Sequence, residues 1–224
     1  VVYKNITING GNLRTRSTNY PQRVMVNGDI IINNGSLELR SINQFLKSFI
    51  INGSINVEYG GILKTTGNSS IAHQIMIGGD LNVNGEYNTY FRDGNDICKV
   101  TTTFFGTDTS RITGTGTVRF YTLTCDKGTD ASAMLIAQNP HLSSAHDEDE
   151  AFLTLKHGTF QVDFPSDENG IELTRECDLT IETPTFLSVK SGTVNVANSN
   201  ADFVVILNGS IDVQGGILNI GNAA

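Results

Sequence analysis

The strongest constraint on this 224-residue chain is a string that returns. "VMVNGDIIINNGSLEL" at Val24 comes back as "FIINGSINVEYGGILK" at Phe49 and as "VVILNGSIDVQGGILNI" at Val204. Aligned on the Asn-Gly or Gly-Gly steps, Ile30 and Ile32 fall over Ile55 and Val57, and these fall in turn over Leu81 and Val83. Near the C-terminus Leu187 and Val189 stand one such step before Ile211 and Val213. A unit of this length cannot bury an apolar face alone and must stack on its neighbours.

Within a unit the apolar residues alternate with period two. Ile30 and Ile32 share one face, as do Leu37 and Leu39 after "NNGS", so each unit reads as two or three short strands joined by corners. Asn-Gly dipeptides at Asn9, Asn27, Asn34, Asn52, Asn84, Asn169 and Asn208 are expected to supply positive-φ residues at those corners. The same dipeptides suit two-residue hairpins, which would give an antiparallel sandwich. Equivalent strands recur in one chain direction, however, so stacking them makes every ladder parallel. The reading is an all-β parallel β-helix with about 24–26 residues per coil. It forms a single segment over 1–224 and is part of a longer chain. An outward row of Ile31, Asn56, Asn82, Ser188 and Asp212 is expected to form a structural amide ladder.

The middle third breaks the rhythm. The step from Leu81 and Val83 to Val118 and Phe120 is half again as long as a coil, and the step from those to Phe160 and Val162 is longer still. These gaps imply loop excursions near 91–111 and 126–150, where solenoids add function.

A net charge of −8 and no basic stripe oppose a nucleic-acid partner. No apolar run reaches the roughly 18 residues of a membrane span. No nucleophile elbow, phosphate loop or dinucleotide fingerprint is present, and no pair of carboxylates for glycoside cleavage can be aligned. The acidic run Asp147, Glu148, Asp149 and Glu150, with Ser166–Asn169 nearby, offers oxygen ligands for calcium but lacks a calcium-loop pattern. His141 and His146 match no zinc spacing. Cys98, Cys125 and Cys177 read as buried thiols, with a Cys98–Cys125 disulfide as the alternative. Five Asn-x-Ser/Thr triplets, at Asn5, Asn34, Asn52, Asn68 and Asn208, arise from Asn-rich corners as readily as from glycosylation. Tyr87, Tyr90 and Phe91 could form a sugar-stacking platform or cover a core.

The strings "IGGDLNVNGEY", "NGSINVEYGGILKTTG" and "NGSIDVQGGILNIG" resemble the degenerate β-helix repeats of long secreted bacterial surface proteins and adhesins, in the style of filamentous haemagglutinin and Bacteroidota exoproteins. The resemblance covers residues 24–90 and 178–222 and lies in repeat style. It implies a right-handed parallel β-helix serving as an extracellular or cell-surface stalk, filament or adhesive segment, whose partners are other segments of the same chain, neighbouring subunits, glycans or a host surface. Pectate-lyase-like enzymes and phage tailspikes share the backbone style, but their catalytic residues match no positions here.

Overall fold

The computed structural model describes residues 1–15, 20–41, 45–145, 151–164, 170–174, 177–196 and 204–221. They form a parallel β-solenoid of about eight turns, with no helix. Strands stack on three faces. The first face holds, in order, Val2–Tyr3, Gln22–Val26, Lys47–Ile51, His73–Ile77, Asp96–Gly106, Thr122–Lys127, Leu153–His157, Leu179–Ile181 and Val205–Leu207.

The second and third faces share their first two strands. Ile30–Ser41 pairs through Ile30, Ile31 and Ile32 with Ile55–Val57 and through Gly35 to Ser41 with Gly61–Gly67, so one strand turns a corner. Gly35, at a φ of 94°, marks the bend. Ile6–Arg14 lies under both halves. The second face continues through Leu81–Val83, Ser110–Thr113, Met134–Ala137, Thr159–Asp163, Phe186–Ser191 and Ser210–Val213. The third continues through Glu86–Asn88, Thr117–Phe120 and Leu142–Ser144, and ends in the sheet of Ile171–Thr174, Thr193–Val196 and Ile217–Ile220.

The aliphatic columns are the core. Ile6, Ile30, Ile55, Leu81, Ile112, Ala137, Val162, Val189 and Val213 pair successively, rung by rung. From Ile30 to Val189 this column is fully buried. Each Ile, Leu or Val so covered contributes roughly 1.5–3 kcal/mol. Larger rings fill the wider middle, where Tyr87 meets Phe120 edge-on at 5.4 Å and Phe120 meets Phe152 at 6.2 Å.

The register differs from the spacing argument in the middle third. Ile112, not Val118, sits on Leu81, while Val118 stacks on Tyr87 in the third face. The path from Leu81 to Val162 therefore holds three coils, the first a little longer than the next two, where counting from Val118 gave two long ones. Within 91–111 the departure is an antiparallel hairpin, Tyr90–Asp93 against the start of Asp96–Gly106. Within 126–150, Met134–Ala137 and Leu142–Ser144 are ordinary rungs. The outward row is corrected by the same shift. Ile31, Asn56 and Asn82 lead to Thr113, whereas Ser188 and Asp212 belong two positions away, with Gln161.

The Asn-Gly corners also work differently from the expectation. Gly10 and Gly35 take positive φ, but Gly28, Gly53, Gly85 and Gly209 do not. Glycine is needed there because successive corners touch. A Cβ on Gly53 would lie 2.7 Å from the Gly28 carbonyl, and one on Gly79 would lie 2.8 Å from the carbonyl carbon of Gly53. Beside this stack runs a polar ladder in which the Asn5, Asp29, Ser54 and Asp80 side chains accept the backbone N–H of Asp29, Ser54, Asp80 and Arg111, respectively, on the next rung.

Candidate functional site

The hairpin stands where the third face turns into the first, and two polar or aromatic clusters meet beneath it. On the outside, Tyr90 and Tyr121 stack at 6.0 Å with their planes 13° apart. The Arg119 guanidinium lies 5.4 Å from the Tyr90 ring centre, and the Lys99 ammonium 5.0 Å from that of Tyr121. Both rings are buried, packed with Ala145, Ala72 and Ile97. Cations over ring faces are electrostatically favoured, so the cluster closes the corner and presents no open ring face to a sugar.

Inside the corner lies a buried polar group. The backbone N–H of Lys47 donates to His73 Nδ1 at 3.2 Å, which leaves the proton of the neutral ring on Nε2. His73 is 2% exposed, and its Nε2 meets no acceptor. Burial, with the Lys47 charge beside it, lowers the His73 pKa to about 4. The Lys47 ammonium donates to the Arg40 carbonyl, and burial lowers its pKa too. Cys98 Sγ lies 2.9 Å from Thr65 Oγ1.

A second buried cation sits at the opposite corner. Lys127 is wholly buried, and its Nζ donates to the Phe105 carbonyl at 2.8 Å and to Ser110 Oγ at 2.9 Å. Burial lowers its pKa, and Cys125, Asp108 and Asp80 partly restore it. Burial pushes the Cys125 thiol up to about 12, so this sulfur is not a nucleophile near neutral pH. These clusters join rungs by hydrogen bonds; neither has the layout of an acid–base pair facing solvent. Sequence reasoning missed them because Lys47, His73 and Lys127 occupy inward positions that a polar side chain rarely takes. The only hint was that each falls in phase with apolar neighbours.

The residues singled out from the sequence disperse. Asp147, Glu148, Asp149 and Glu150, His146 and Ser166–Asn169 lie outside the described residues. Among the described residues no three His, Cys, Asp or Glu side chains cluster as metal ligands. Tyr87 is fully buried in the core with its hydroxyl 2.9 Å from Thr102 Oγ1, Tyr90 is in the corner cluster, and Phe91 is half-buried opposite Cys98. They form no platform. His157 Nδ1 pairs with Asp126 at 2.7 Å on the surface. No disulfide joins Cys98, Cys125 and Cys177; the first two are buried and the third is half-buried.

All five glycosylation triplets have their asparagine side chain in use. Asn5 and Asn34 accept backbone N–H groups through Oδ1, while the Asn52, Asn68 and Asn208 amides donate to Asn27, Asp96 and Glu182. Amide pairs of the expected kind do occur, at Asn33–Asn9 and Asn219–Asn195.

The two ends of the solenoid differ from everything between them. At the first rung a groove of about 710 Å³ opens among Tyr3, Ile6, Leu13, Val24, Leu37 and Phe49. At the last rung Leu207, Val213 and Ile220, which continue inward columns, are 51%, 46% and 60% exposed. No helix of the described residues is long and apolar enough to cross a membrane. No known protein family, curated protein or solved structure matches the chain.

Proposed function

We propose that this chain is a structural or adhesive β-helix segment of an exported bacterial cell-surface protein. The observation that carries the reading is the unbroken stack of parallel rungs, whose aliphatic column is buried from Ile30 to Val189. Each coil of such a stack is held by its neighbours, which suits a structural or adhesive rod. The repeat style, similar to that of secreted surface proteins, supports export. The inward placement of His73, Lys47 and Lys127, each tied to a neighbouring rung or strand, supports a scaffold over a polysaccharide-cleaving relative.

Protease shaving of intact cells that express the full protein tests this. Release of peptides from residues 1–224 without lysis is the expected result. Protection from shaving, or turnover of a polysaccharide panel that is lost when one exposed carboxylate is changed, would overturn it.

A further inference from the structure

The fold does not treat the Asn-Gly pairs of this chain alike. At four of them the glycine N–H is given to a carbonyl one coil back: Gly28 donates to Lys4 at 2.7 Å, Gly53 to Gly28 at 3.1 Å, Gly85 to Val57 at 3.1 Å and Gly209 to Ile181 at 2.6 Å. The asparagine side chains of these pairs are also turned to neighbouring coils. Asn52 Nδ2 donates to Asn27 Oδ1 at 3.4 Å, Asn84 Nδ2 to Glu58 Oε2 at 3.4 Å, and Asn208 Nδ2 to Glu182 Oε2 at 3.0 Å. Asn34 differs from all four. Its own Oδ1 accepts the Gly35 N–H at 2.9 Å, so the side chain and the amide that follows it face each other within one corner.

A backbone nitrogen beside the carboxamide of the preceding asparagine can close a ring on it. With Oδ1 held on the Gly35 N–H, the Cγ bonded to that oxygen is within reach of the Gly35 nitrogen, and such proximity removes most of the entropic cost of the encounter. Access to water does not separate the pairs, because Asn27, Asn52 and Asn208 are exposed, as Asn34 is. What separates them is that each of the other four must first break the bond from its glycine to the coil before and swing its side chain round. At Asn34 the amide already faces its own side chain. Gly35 has no side chain to shield its nitrogen, and its φ of 94° turns the chain at the bend between the second and third faces.

We propose that Asn34 is a site of self-modification, converting to isoaspartate in the folded protein. Loss of the Gly35 N–H proton to solvent base lets the nitrogen form a bond to Asn34 Cγ; the Cγ–Nδ2 bond breaks, and Nδ2 takes up a proton and leaves as ammonia. Water then opens the succinimide. Cleavage between the Gly35 nitrogen and the Asn34 main-chain carbonyl carbon gives isoaspartate, and cleavage at Cγ gives aspartate. The net reaction consumes a water, releases an ammonia and needs no oxidant or reductant. Isoaspartate routes the main chain through the former side chain and so lengthens it at the bend. The bend has no room for this, since a Cβ on Gly35 would already lie 2.2 Å from the Gly11 carbonyl oxygen. The strand Ile30–Ser41, which pairs along both faces, therefore loosens at its corner and gains a negative charge as the protein ages. This holds whether or not the chain is a surface rod.

The test is peptide mapping by mass spectrometry, with isoaspartate resolved from aspartate, on the purified chain aged at pH 8 both folded and in urea. In urea Asn34 and the other four asparagines should convert at similar rates, because each is followed by glycine. In the fold Asn34 should keep its unfolded rate or exceed it, while Asn27, Asn52, Asn84 and Asn208 slow about tenfold, equivalent to about 1.4 kcal/mol of barrier. Asn34→Gln, whose longer side chain closes the ring far more slowly, should stop the reaction at that corner and leave the other four unchanged. Aged wild type should melt below fresh wild type, and the aged Gln variant should melt as it did when fresh. Asn34 slowed by folding as much as the other four, or any of those four converting as fast as Asn34 in the fold, overturns the assignment. Wild type converted at Asn34 that melts as it did when fresh overturns the loosening of the bend.

Discussion

The corner between the first and second faces is built in two ways. From Val26 to Ile30, Ile51 to Ile55 and Ile77 to Leu81 it takes the same four-residue step, and the rungs approach closely enough that Gly28, Gly53 and Gly79 lie against one another. From Phe104 to Ile112 the step is twice as long, the close approach is gone, and Lys127 fills the space with its ammonium on the Phe105 carbonyl and Ser110. A short corner is held by backbone contact, and a wide one needs a side chain to satisfy the carbonyl groups it exposes. The first solution demands one residue type and recurs; the second can be met once, by one long donor.

The sharpest way to break this contrast is to put a side chain into each corner. Gly53→Val places methyl groups on the Gly28 backbone, and overpacking of this kind costs on the order of 3 kcal/mol. Gly106→Ala meets nothing nearer than Lys127 Nζ at 3.9 Å, so it carries only the strain of its φ of 96°, about 1–2 kcal/mol. Urea midpoints should fall in the order wild type, Gly106→Ala and then Gly53→Val. Equal losses would show that the two corners are held alike.

Acid should strike the polar knot at the hairpin corner before it strikes the glycine-stacked coils. His73 is neutral in the fold with a pKa of about 4, against an ordinary value of 6.5 when unfolded. Between these values the unfolded chain binds the extra proton, so stability falls as pH falls from 6.5 towards 4. From pH 7 to pH 5 the loss is about 2 kcal/mol. Denaturation curves at the two pH values measure it, and His73→Gln should flatten the dependence. An unchanged slope in that variant would assign the acid sensitivity to carboxylates.

How far these features were legible in the sequence follows from what each depends on. Ile30, Ile55 and Leu81 could be stacked by eye because alternation and the Asn-Gly step are local signals. Ile112 could not, because "TSRIT" surrounds one aliphatic residue with polar ones, while "TVRFYTLT" alternates strongly and drew the alignment to Val118. The glycine corners were found for the wrong reason. Asn-Gly suggests positive φ, but the constraint at Gly53 comes from the Gly28 backbone one coil away. The pairing of Lys127 with Ser110 and that of Lys47 with His73 depend on which strands become neighbours, and on inward positions that read as solvent-facing until the register is known.

Lys127→Met tests the wide corner with a smaller effect. It removes a buried ammonium whose desolvation already opposes folding, but it orphans the Phe105 carbonyl. The second cost, about 1–3 kcal/mol, is partly offset by the first, so a net loss of about 1 kcal/mol is expected. The pH signature is clearer than the magnitude. Because burial lowers the Lys127 pKa below its ordinary value of 10.5, the unfolded chain binds more protons between the two values, and stability gains as pH rises through that window. The variant should lack that part of the gain. If it is instead more stable than the wild type at pH 7, desolvation outweighs the hydrogen bonds.

The thiols give the finest test, because the two buried ones lie at different corners. Cys98 belongs to the hairpin corner, and Cys125 lies on the strand that carries Lys127. With no disulfide between them, a reductant should leave the melting temperature unchanged. Native alkylation at pH 8 should label half-buried Cys177 first. With its pKa pushed up to about 12, Cys125 exposes only about one thiolate in ten thousand even before burial limits access. Its labelling should therefore follow global opening of the solenoid, whereas Cys98 need wait only for the hairpin to lift. Mass spectrometry of the labelled peptides over time separates the two, and equal rates for Cys98 and Cys125 would mean that the hairpin corner opens only when the whole coil does.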